Sequence, residues 1–161
     1  MIRILSKTIV WALAALFATA VGAQQLPKSG SISIHTGWRD VGEAKDVAEK
    51  RMQGHGSVIG TSFNDKGAGS LHRGPAICFY TFFLADGVVK NKGYCAFGDA
   101  DGDRIFTDWY GTTPDGNEGI NNIAGGTGKY AGIQGSGPWK CGATGASGDQ
   151  SCTQRFDYRL P

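Results

Sequence analysis

The sequence predicts an all-β fold, an antiparallel sandwich or barrel. Three observations carry that reading: about eight short strand patterns, turn signals roughly every 10 to 15 residues, and no convincing helical stretch. Residues 24–161 contain no domain linker, low-complexity tract or clear internal repeat. They read as one domain, long enough to build a core of its own.

Residues 1–23 read differently. Arg3 and Lys7 form a positive n-region, residues 9–17 a short apolar h-region, and Val21-Gly22-Ala23 the small residues that a signal peptidase reads. This pattern is that of a secretory signal peptide cleaved after Ala23. The apolar run is short for a membrane span, and an uncleaved anchor is the alternative. Without Arg3 and Lys7 the chain carries 14 basic and 14 acidic residues, so the overall charge of +2 comes from the leader. A neutral domain gives no reason to expect nucleic acid or an anionic membrane as partner. Four cysteines behind a signal peptide point to two disulfides and an oxidising compartment, secreted or periplasmic. Zinc is the competing reading. It lacks support, because no Cys-x-x-Cys spacing occurs and no histidine sits at ligand spacing from a cysteine.

The elements follow in order. In residues 29–38, Ile32, Ile34, Thr36 and Trp38 alternate with Ser33, His35 and Gly37, the period of a half-buried strand. Residues 40–50 are polar, with Val41, Ala44, Val47 and Ala48 at helical spacing. Gly42 weakens a helix, so a loop is expected. Residues 51–63 read as a long strand with Gly54, Gly56 and Gly60 on one face, where glycines permit bending or close approach. Asn64-Asp65-Lys66-Gly67 is a turn.

Residues 75–85 and 88–98 flank Asp86-Gly87, a favoured two-residue hairpin turn. That turn sets Ala85 opposite Val88, and the same register sets Cys78 opposite Cys95 at a non-hydrogen-bonded pair. Cα atoms there are about 4.5 Å apart, close enough for a disulfide. A rival turn at Asn91-Lys92-Gly93 would spoil the register. Cys141–Cys152 is then the second bridge, closing a loop over residues 139–152 that is rich in Gly, Ala and Ser. Residues 98–104 place Asp99, Asp101 and Asp103 in alternation. They form either a hairpin turn whose carboxylates satisfy local amides or a weak cation site. The EF-hand pattern fails, with Arg104 where glycine is required and Tyr110 where the final glutamate belongs. Residues 105–110 are bulky on both faces. Thr113-Pro114-Asp115-Gly116 is a turn, residues 120–124 and 130–136 are short strands, and residues 153–160 close the fold with Phe156, Tyr158 and Leu160 on one face.

Between the two late strands lies Gly125-Gly126-Thr127-Gly128-Lys129-Tyr130, with Gly132, Gly135 and Gly137 beyond. A phosphate loop fails at Ile123 and Tyr130, and a dinucleotide fingerprint lacks the helix it needs. No cofactor is expected. Residues 124–137 instead resemble the late hairpin of the allene oxide cyclase-like and dirigent barrels. They also resemble the same hairpin in small secreted bacterial proteins. The resemblance implies an eight-stranded antiparallel β-barrel with a central cavity. Plant members bind an apolar oxylipin or steer phenoxy radical coupling. Their catalytic residues have no matching motif here, so none is carried over.

No Ser-His-Asp or Cys-His constellation is legible. His35 and His55, with His72, either converge at a barrel mouth as a proton shuttle or metal site or act separately at the surface. Asp108 and Glu118 are acid/base candidates, or else a paired strand carboxylate and a solvated turn residue. The aromatic set is too large for one thin core layer, and an eight-stranded barrel either fills with side chains or holds one small ligand. The ligand-binding candidates are therefore Phe79, Tyr80, Phe106, Trp109 and Tyr110, together with His35 and His55. The expected role is binding of a small hydrophobic or aromatic molecule. A cyclase or isomerase using the same cavity is the alternative, and a solid barrel acting through its surface is the third class. No sequence feature specifies an oligomeric state.

Overall fold

The structure is a computed structural model that describes residues 26–161; the signal-peptide expectation for residues 1–23 lies outside the described residues. Eight strands follow in order: β1 Ser29–Ala48, β2 Arg51–Asn64, β3 Gly74–Ala85, β4 Val88–Gly98, β5 Arg104–Thr113, β6 Glu118–Gly126, β7 Gln134–Cys141 and β8 Asp149–Arg159. Each pairs antiparallel with its sequence neighbour, and β8 returns to β1, from Ser29↔Arg159 to Arg39↔Asp149, closing a barrel.

The period-two patterns decide which side chains face inward. On β1, β3 and β8 the even positions point into the barrel; on β4, β5 and β7 the odd positions do. The two ends of the barrel then differ. At the end formed by the loops over residues 65–73, 99–103 and 127–133, Ile34, Leu71, Phe97, Ile105, Tyr130, Ile133 and Phe156 fill the interior, each no more than 2% exposed. Above them comes a polar layer. Thr36 and Gln154 hydrogen-bond each other, and the Thr107 hydroxyl donates to Asn121 at 3.2 Å. Beyond that layer, towards the hairpin tips at 86–87, 114–117 and 142–148, the interior is hollow.

The Asp86-Gly87 turn forms as its chemistry dictates. Both residues have positive φ (51° and 80°), and the register runs from Ala85↔Val88 through Cys78↔Cys95. Both disulfides are present, Cys78–Cys95 with Cα atoms 4.0 Å apart and Cys141–Cys152 at 3.9 Å. Each bridges neighbouring strands on the inner face of the wall.

Three local expectations are corrected. Residues 40–48 are not a loop: β1 continues to Ala48, paired with β2 from Asp40↔Val58 to Asp46↔Met52, because the neighbouring strand satisfies the backbone that the polar sequence leaves unpacked. The segment 139–152 is strand at both ends, β7 running to Cys141 and β8 from Asp149, and only residues 142–148 form a loop. Residues 130–136 do not begin as a strand. Gly128–Tyr130 is a 3₁₀ turn, and it directs Tyr130 into the filled end.

Candidate functional site

The hollow half of the barrel is a cavity of about 310 Å³, open towards the hairpin tips. Trp38, Phe97, Trp109 and Trp139 wall it, and both disulfides lie in its lining. Glycines on neighbouring strands make room for the large rings. A methyl group added at Gly93 on β4 would fall 2.8 Å from the Trp109 ring, and one at Gly119 on β6 would fall 2.8 Å from Trp139 Nε1. The two indoles meet edge to face with centroids 5.2 Å apart.

Polar groups concentrate nearer the mouth. The Tyr80 hydroxyl donates to both carboxylate oxygens of Asp40, at 2.8 and 3.0 Å. Gly42 and Gly56 leave space for it: a Cβ at either would lie 2.6 Å from that hydroxyl. Burial first, then the hydrogen bond and negative charge of Asp40, hold the Tyr80 phenol protonated well above its usual range. Asn91 donates through Nδ2 to the Gly116 carbonyl at 2.7 Å, which fixes the direction of its oxygen. That oxygen, Trp109 Nε1 and Trp139 Nε1 are buried without a hydrogen-bond partner, and all three residues line the cavity. All three atoms are sealed within the wall: the Asn91 oxygen packs over Gly111 and Trp139 Nε1 over Gly119.

Of the residues singled out from sequence, Tyr80 and Trp109 line this cavity. Phe79, Phe106, Tyr110, His35 and His55 sit on the outer face instead. Inward positions are even on β3 and odd on β5, so Phe79, Phe106 and Tyr110 have the outward parity, and Phe79 and Tyr110 are 59% and 53% exposed. His35 bonds Asp65 at 2.9 Å on the surface. His55 stands 3.7 Å from Glu43, and with Tyr110 it lines an outer groove that shares Phe82 and Asn91 with the cavity lining. The histidines do not converge at the barrel mouth. Asp108 accepts from Asn122 at 3.1 Å, and Glu118 lies 3.4 Å from Lys140.

Asp99, Asp101 and Asp103 lie at the opposite, filled end. The Lys129 ammonium sits 2.6 Å from Asp99 and 2.8 Å from Asp101, while Asp103 accepts the Lys129 backbone N–H at 3.1 Å. The aspartate loop and the glycine hairpin thus hold each other. Among the described residues no group of three or more His, Cys, Asp or Glu is placed to hold a metal ion.

Against solved structures, the chain is similar to the pterocarpan synthase dirigent protein GePTS1. The TM-score is 0.52 with 15% identity, over 84% of this chain and 94% of that one. The fold is a dirigent-like barrel. The pterocarpan synthase dirigent protein PsPTS1 also aligns, at a TM-score of 0.49 with 17% identity, over 84% of this chain and 98% of that one. No protein-family model and no curated protein sequence matches the chain.

Sequence reasoning missed Asp40, Asn91 and Trp139. Asp40 and Trp139 fell in segments read as loops, where parity carries no information. Asn91 carried a usable signal. The Asp86-Gly87 register places it on the same face as Cys95, two pleats nearer the turn, so inward by the same alternation that sets the disulfide.

Proposed function

We propose that this protein is a secreted or periplasmic barrel that binds a small hydrophobic or aromatic molecule in its cavity without turnover. The carrying observation is the half-hollow interior, a cavity of about 310 Å³ walled by Trp38, Phe97, Trp109 and Trp139 and lined also by Asp40 and Tyr80. An apolar pocket with a few fixed polar groups is the usual form of a small-molecule site. GePTS1, a pterocarpan synthase dirigent protein with the same barrel fold, supports a ligand-holding barrel. Two disulfides and the leader-like first 23 residues support an oxidising compartment. The Gly-Gly-Thr-Gly-Lys-Tyr hairpin supports a place among small secreted bacterial barrels. Native mass spectrometry of protein purified from its own periplasm tests the reading. A co-purifying small molecule that is displaced in Trp109→Ala is expected. Repeated recovery of empty protein, with no change in tryptophan fluorescence across apolar and aromatic probes, would defeat it.

A cyclase or isomerase is the second reading, favoured by one observation. Asp40 and Tyr80 place an acid/base pair at the cavity wall. If that reading holds, Asp40→Asn and Tyr80→Phe abolish turnover while leaving binding intact.

A further inference from the structure

We propose that the cavity selects an organic cation: an apolar or aromatic body carrying an ammonium group that seats at Asp40. This deepens the binding reading above and rests on it. Two independent observations point to it. The first is the sign of the charge. Asp40 and Asp115 are the ionisable carboxylates lining the cavity, and among the described residues no lysine or arginine lines it. The nearby Lys90 and Lys92 project from the outer face of β4. Asp40 itself has the Tyr80 hydroxyl as partner and makes no ion pair among the described residues. An anionic ligand would meet a carboxylate here with no counter-charge.

The second is the wall. Trp38, Tyr80, Phe82, Phe97, Trp109 and Trp139 surround the space with π faces and edges. Rings of this kind, Trp above all, attract a cation that lies within about 6 Å of their centroids, and more strongly where water is excluded. A neutral apolar molecule would leave the Asp40 carboxylate facing hydrocarbon, at a desolvation cost.

The test compares three probes of one size: phenyltrimethylammonium, its uncharged isostere tert-butylbenzene, and benzoate. Binding to the disulfide-intact protein is followed by tryptophan fluorescence and by chemical shifts of the indole N–H groups. The expected result is a cation at least tenfold tighter than tert-butylbenzene, with benzoate weakest. In Asp40→Asn, which keeps a hydrogen-bond acceptor for Tyr80, the preference is expected to fall below about threefold. Trp139→Leu serves the same purpose if Asp40→Asn does not fold. Equal or tighter binding of tert-butylbenzene overturns the cation inference and leaves the binding barrel standing. A cation preference unchanged in the variants also overturns it, because the cation would then sit elsewhere. No binding of any probe at millimolar concentration overturns the inference and the binding reading together.

Discussion

Tyr130 shows how one side chain closes an end of the barrel. It is fully buried, and its hydroxyl donates to Asp99 at 2.9 Å, beside the Lys129 ammonium. Tyr130→Phe keeps the packing and removes that donor, leaving a buried carboxylate with one partner fewer. A loss of about 1–3 kcal/mol is expected in urea denaturation. The same cluster sets the response to alkali. Burial alone pulls the Lys129 ammonium down, but hydrogen bonds to Asp101 and Asp99 outweigh it and the net direction is up. Burial pushes the Tyr130 phenol up, and the Asp99 charge and hydrogen bond add to this against the opposing Ser70 bond. Both groups therefore hold their protons more tightly folded than unfolded. Their stabilisation is complete below the unfolded pKa values, about 10 for Tyr and 10.4 for Lys, and is lost as pH climbs through the folded values. The denaturation midpoint is expected to hold steady to about pH 9.5 and to fall above it; a midpoint unchanged at about pH 11.5 would remove the cluster from the stability account.

At the scale of elements, the glycine hairpin and the two disulfides do different work. Gly137 on β7 faces the β8 backbone so closely that an added Cβ would lie 1.8 Å from the Arg155 carbonyl oxygen. Gly137→Ala must separate β7 from β8, and overpacking of this kind costs about 1–3 kcal/mol, read as a lower thermal midpoint. The Cys141–Cys152 bridge ties the same two strands below the 142–148 loop, with 11 residues of separation. Replacing both cysteines by alanine is expected to cost about 2–4 kcal/mol. Because the bridge lies in the cavity wall, the replacement is also expected to speed ligand release, which stopped-flow fluorescence would register. The Cys78–Cys95 pairing was legible because turn chemistry and cysteine spacing converge on one register. The barrel-lining role of Trp109 was legible only as one of several aromatics. Alternation gives two faces but not which is inner when both are bulky, as at Phe106, Trp109 and Tyr110. The strand character of residues 40–48 was hidden for another reason: its hydrogen bonds come from β2, and nothing local in Gly42 to Asp46 announces them. The seats at Gly93 and Gly119 were also invisible, since a glycine shows no partner until the facing strand is placed.

For the whole molecule, the division into a packed end and a hollow end separates stability from recognition. The filled end draws on residues of β1, β4, β5 and β8 together with Leu71, and the 127–133 segment lies there. The glycine hairpin that dominates the sequence is therefore a plug, and its 127–133 segment does not line the cavity. Substitutions in the plug are expected to change unfolding while leaving binding of the cavity probe unchanged.

The seam between β1 and β8 reaches further. It joins the beginning of the described chain to its end, with Leu160 N–H donating to the Lys28 carbonyl at 2.7 Å. Contacts of such long sequence separation form late. During synthesis the barrel cannot close until β8 has emerged, so that edge of β1 stays unpaired until residues 149–159 are made. A nascent chain in that state has not yet locked. It also carries an open strand edge, the usual template for aggregation. A chain ending at residue 148 is expected to collect in the insoluble fraction. A circular permutant that joins residue 161 to residue 26 and opens at Asp86-Gly87 is expected to fold, since the seam becomes a short connection and every strand keeps both neighbours.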